Sequence, residues 1–159
     1  MKGGGILFNK FKKIFLRKQQ NEETDRYIIV QNDEINEDLK QHINALEKLG
    51  ERYSKDLENE YKSKFESDGK KNLKIWVCRD IDGDQIQGLT SDQCLEGEYR
   101  SQIAINYDGF TDEEDAYVYY IQLWGFSRGR KSIGGLYDLS KYNLKKEIED
   151  TLSEVLKAT

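Results

Sequence analysis

The stretch Thr111–Gly125, TDEEDAYVYYIQLWG, has two readings, and the size of the sheet depends on which is taken. From Tyr117 to Ile121 the composition is aromatic and β-branched, as in strands. Against that, Thr111 and Glu114 have capping-box spacing, four acids crowd the first turn, and Gly125 stands where a helix-ending glycine belongs. The end signals predict a helix over 112–124, with Tyr117, Tyr120, Ile121 and Trp124 on its buried face.

The neighbouring segments read more simply. YRSQIAINY (99–107) alternates, placing Tyr99, Ile103, Ile105 and Tyr107 on one face, and NLKIWVCR (72–79) sets Leu73, Ile75 and Val77 against Lys74, Trp76 and Cys78. Both are predicted strands. Between them, DIDGDQIQG suggests a hairpin turning at Asp82-Gly83, with a short strand over 85–87. RYIIVQ (26–31) is a further strand, and Leu136 and Tyr137 suggest another.

Two helices frame these strands. Ile35, Leu39, Ile43, Leu46, Tyr53, Leu57, Tyr61 and Phe65 recur every three or four residues, and the phase survives Gly50. One helix over about 34–67 is predicted, ending at Ser67-Asp68-Gly69, although an interior glycine costs about 1 kcal/mol. NLKKEIEDTLSEVLKAT closes the chain with an apolar stripe of Leu144, Ile148, Leu152, Val155 and Leu156. The expected fold is α+β, an antiparallel sheet of three to five strands with helices mainly on one face.

Charge divides the chain. Residues 1–21 hold six of its 25 bases and none of its 30 acids, so the remainder carries 19 bases against 30 acids and a net charge of −11. On a helical wheel Leu7, Phe8, Phe11, Ile14 and Phe15 form one stripe, flanked or opposed by Lys10, Lys12, Lys13 and Arg17. Residues 1–24 are therefore expected to be a basic amphipathic helix and linker, and 25–159 a single acidic domain. The helix suits packing on the body, an anionic membrane surface, or a groove on another protein. Lysines interrupt every apolar run, so neither a secretory leader nor a spanning segment is expected. The expected location is the cytoplasm, free or against the inner face of a membrane.

Chemistry-bearing motifs are few. Cys78 and Cys94 are the only cysteines, read as free thiols, and His42 is the only histidine, with no partner nucleophile in view. DIDGD offers Asp80, Asp82 and Asp84 in alternation, but a calcium loop counted from Asp80 needs Gly where Gln85 stands and Glu where Ser91 stands. GFSRGRKS (125–132) lacks the glycine that a phosphate loop places before its lysine, since Arg130 is there. No metal and no cofactor is expected. The acidic body argues against nucleic acid.

Asp108, Asp112, Glu113, Glu114 and Asp115 form the densest acidic patch, and clustered acids steer encounter with a cationic face. The leading expectation is a non-catalytic module that recognises, and in its strongest form neutralises, a basic protein partner, in the manner of an inhibitor or immunity protein. A membrane-surface accessory protein tethered by residues 6–17 is the second reading. A metal-dependent hydrolase using the Asp80, Asp82, Asp84 or Asp112, Glu113 carboxylates is the third.

Overall fold

The computed structural model describes residues 26–108, 119–127 and 132–157. Five strands make one antiparallel sheet: β1 (Tyr27–Gln31), β2 (Lys71–Ile81), β3 (Tyr99–Asp108), β4 (Tyr119–Ser127) and β5 (Ile133–Tyr137), ordered β1-β5-β4-β3-β2. Helices α1 (Glu37–Ser67) and α2 (Leu144–Lys157), with 3-10 turns at Asn32–Glu34 and Ser91–Gln93, complete the described elements. The expected α+β architecture is observed, with the sheet at the upper end of the expected size. The amphipathic segment Leu7 to Arg17 lies outside the described residues.

β1 and β2 occupy opposite edges, so the chain must cross the whole sheet between them. A helix of 31 residues, about 46 Å at 1.5 Å per residue, covers that distance without a break. Asn36 caps it, its side chain accepting from the Leu39 N–H at 2.9 Å. Its other end stops at Gly69, whose φ of +80° suits glycine.

At Gly50 the helix lies close against the sheet. A Cβ there would lie 3.0 Å from Ile103 Cδ1, 3.2 Å from Leu123 Cδ1 and 3.4 Å from Val77 Cγ2, on three different strands. The glycine therefore does not end the helix; it lets α1 settle onto the sheet. Around it, Leu46, Leu57, Tyr61 and Phe65 meet Leu73, Ile75, Val77, Ile103, Ile105, Ile121 and Leu123, and α2 adds Leu144, Ile148, Leu152 and Val155. A second cluster beneath the first turns of α1 joins Val30, Leu39, Ile43, Cys94, Tyr99 and Trp124.

Within the segment 112–124, the described residues 119–124 correct the helical expectation. Residues 119–127 are strand β4, paired on both sides, with Ile103 opposite Ile121 and Trp124 opposite Leu136. Ser101 faces Trp124 while Gln102 faces Gln122, so Leu123 is the extra residue of a bulge. The bulge turns both Leu123 and Trp124 into the core, where each is fully buried. Burial at 121, 123 and 124 breaks period-two alternation and leaves Ile121 and Trp124 three residues apart, the spacing of a helical face. The β-prone composition, satisfied by ladders on both sides, prevails over the end signals. Residues Asp112 to Asp115, expected to meet a partner, and Tyr117 lie outside the described residues.

The Asp82-Gly83 turn forms as expected, with φ of +53° and +85°, and Ile81 and Asp84 exchange both backbone hydrogen bonds at 3.0 and 2.9 Å. The short strand over 85–87 does not form; residues 84–98 run as turns with a 3-10 turn at Ser91–Gln93. No helix among the described residues is long and apolar enough to cross a membrane.

Candidate functional site

With both helices on one face, the other face of the sheet carries no helix among the described residues. Strand alternation sends Tyr27, Ile29, Asp80, Arg100, Gln122, Gly125 and Gly135 to that side, and they line a furrow of about 610 Å³. Its floor is made by Gly125 and Gly135, directly opposite in the β4–β5 ladder. Neither carries a side chain, so the furrow dips where the sheet centre would otherwise be filled.

One wall is aromatic. The Tyr27 hydroxyl donates to the Gln122 backbone oxygen at 2.9 Å, reaching across β5 to β4. Tyr27 passes over Gly135, where a Cβ would stand 3.6 Å from the Tyr27 Cβ, an ordinary van der Waals contact. The Gln122 amide leans over Gly125, its Nε2 3.0 Å from where a Cβ would stand.

The other wall is charged. Arg100 Nε and one terminal nitrogen each donate to Asp80 Oδ2 at 3.2 Å, and the Asp80 side chain is 7% exposed against 44% for Arg100. Asp82, held by its turn, accepts the Glu98 N–H at 3.0 Å, which places a third carboxylate, that of Glu98, at the rim. Three acids and one guanidinium thus line the furrow, and of the acids Asp80 is the one bonded to Arg100.

The thiol nearest this wall is a poor nucleophile. Burial and the Asp80 charge push the Cys78 thiol up from its ordinary value, and Gln85 Nε2 donates to its sulfur at 3.2 Å. Cys94 is likewise free and buried, its thiol pushed up to about 12 by burial and by Glu47. His42 sits on α1, 68% exposed, with Nε2 3.8 Å from Asp38. Among the described residues no group of three or more His, Cys, Asp or Glu side chains could hold a metal ion. Asp80, Asp82 and Asp84 therefore do not converge: Asp80 turns to Arg100, and the other two shape a turn.

Of the acidic patch, Asp108 is described, exposed at the end of β3 and bonded to the Asn72 side chain. It lies away from the furrow, and Asp112, Glu113, Glu114 and Asp115 lie outside the described residues, as do Leu7, Phe8, Lys10, Phe11, Lys12, Lys13, Ile14, Phe15 and Arg17. The furrow itself has one sequence signal, the glycines at 125, 134 and 135, of which the first reads as a helix stop and the other two as a loop when the strands around them go unrecognised. No protein-family model, no curated protein and no solved structure matches the chain.

Proposed function

We propose that this protein is a non-catalytic binding module of the cytoplasm that recognises a basic protein partner, taking a cationic side chain of that partner into the outer-face furrow. The observation that carries this reading is the arrangement of Asp80, Asp82 and Glu98 against the single Arg100 beside a floor without side chains. A lysine or arginine stem fits over the glycines and Tyr27, while its charged end meets the carboxylates. The body charge of −11 draws such a partner from a distance. Two buried free thiols suit a reducing compartment. Inhibition or immunity is the stronger form of the same reading.

Titration with acetyl-tetralysine amide, followed by amide shifts, tests it. Binding is expected to move Gly125 and Gly135, to weaken with salt, and to fall about fivefold in the Asp82→Asn, Glu98→Gln double variant. Equal binding by that variant, or equal binding of a tetraglutamate peptide, overturns the reading.

A further inference from the structure

The two edges of the sheet are finished differently. β2 carries Lys71 and Lys74, its register shifts near Asn72 at φ +58°, and the Ile75 N–H is taken by Glu58 Oε1 at 2.8 Å. Those are devices that keep another strand away. β1 carries only the last of these, at its final residue, where Glu34 takes the Gln31 N–H; Tyr27–Gln31 is otherwise uncharged and regular in register, and Ile28 and Ile29 are 46% and 48% exposed.

The ladder fixes which backbone groups face outward from β1. The Asp138 N–H donates to the Arg26 oxygen at 2.8 Å, so the β1–β5 hydrogen bonds fall to Arg26 and, two residues on each time, to Ile28 and Val30. The N–H and C=O of Ile29 point to the other side. Gln31, next in that phase, shows the same direction, since its N–H reaches outward to Glu34 Oε1 at 2.8 Å. No described strand pairs with this side of β1.

The residues just beyond β1 set the charge of a fitting strand. Asp33, Glu34, Glu37 and Asp38 are all exposed within seven residues of its end. Every pairing in the sheet is antiparallel. We propose that β1 accepts, by antiparallel strand addition, an extended segment of a basic partner in which Lys or Arg residues precede a short β-prone run, so that the cations lie beside those four acids. The sign of the partner's charge rests on the proposed function, and the docking mode on the edge alone. A second copy fits less well, because the residues preceding β1 in sequence include Glu22, Glu23 and Asp25, and antiparallel self-pairing sets acids beside acids.

The probe is an acetylated Lys-Arg-Lys-Val-Thr-Val-Thr-Val amide, titrated into the full chain and followed by backbone amide shifts. Saturable shifts are expected at Tyr27, Ile29 and Gln31, and the same residues rearranged with the cations last should bind more weakly. Ile29→Pro removes an N–H that faces away from β5, so the sheet keeps its ladder while affinity drops about tenfold or more. Ile28→Lys, which leaves the backbone intact and sets a cation beside the incoming strand at a position that does not line the furrow, should weaken binding too and covers a misfolded proline variant. Unchanged affinity in the folded variants, equal binding of the rearranged peptide, shifts confined to Gly125 and Gly135, or a wild-type dimer that Ile29→Pro dissolves would each overturn the proposal. Failure of the tetralysine test with these edge results intact removes the furrow reading and leaves the docking mode standing.

Discussion

Replacing Glu47 by Gln isolates the buried polar contact that fixes α1 over β2 and β3. Glu47 is 1% exposed and accepts from the Tyr99 hydroxyl at 3.0 and 2.7 Å and from Arg79 Nε at 2.8 Å. Arg79 also reaches Glu51 at 2.7 Å, and that acid is half exposed. Burial works against the Arg79 charge, but the Glu51 and Glu47 carboxylates more than offset it and raise its pKa. Glutamine preserves shape and can still accept one hydrogen bond. It removes the charge, however, and turns an NH₂ toward donors.

Losing one partner of a buried pair costs about 3–5 kcal/mol, and the surviving bond to Glu51 brings the expected loss to about 2–3 kcal/mol. At roughly 3–4 °C per kcal/mol for a domain of this size, Tm falls by about 6–12 °C. With an m-value of about 2 kcal/mol/M the urea midpoint drops by about 1 M. Tyr99→Phe should cost about 1–2 kcal/mol, and the double variant should lose less than the sum by at least about 0.5 kcal/mol, since both changes strip the same carboxylate. Strict additivity, or a Glu47→Gln variant within about 0.5 kcal/mol of the parent, would refute the coupling of these three side chains into one unit.

Two further outcomes rest on particular atoms. In Gly134→Ala the new Cβ would stand 2.5 Å from Trp124 Cη2 and 2.7 Å from Cζ3, so the variant should lose at least about 2 kcal/mol and red-shift the tryptophan emission, whereas Gly135→Ala, whose nearest contact is 3.6 Å, should melt near the parent; equal melting of the two would contradict this packing. Alkaline stability should decline early. Burial and Glu47 raise the pKa of the Tyr99 hydroxyl and push Cys94 up to about 12, while burial and the Glu147 hydrogen bond raise that of Tyr137. The folded chain thus keeps protons that the unfolded chain releases near pH 8.5 for Cys and 10 for Tyr. These contributions are complete below about pH 8.5 and shrink as pH rises through 9–12. A urea midpoint that stays level to pH 11 would count against them.

The sequence alone determined the elements whose burial pattern is regular. Leu39, Ile43, Leu46, Leu57, Tyr61 and Phe65 keep one helical phase, and Leu73, Ile75 and Val77 alternate, so periodicity reports their buried side directly. Local chemistry was equally legible at the Asp82-Gly83 turn and the Gly69 stop, because positive φ is a property of one or two residues. Only the tertiary structure decided the rest. β4 is a strand because β3 and β5 bond to both its sides, and its bulge, which hides Leu123 and Trp124 together, imitates a helical face when the partners are unseen. The furrow arises from register: Gly125 meets Gly135 and Asp80 meets Arg100 only when strands distant in sequence come to lie side by side, and a pairing between strands leaves no period in either one.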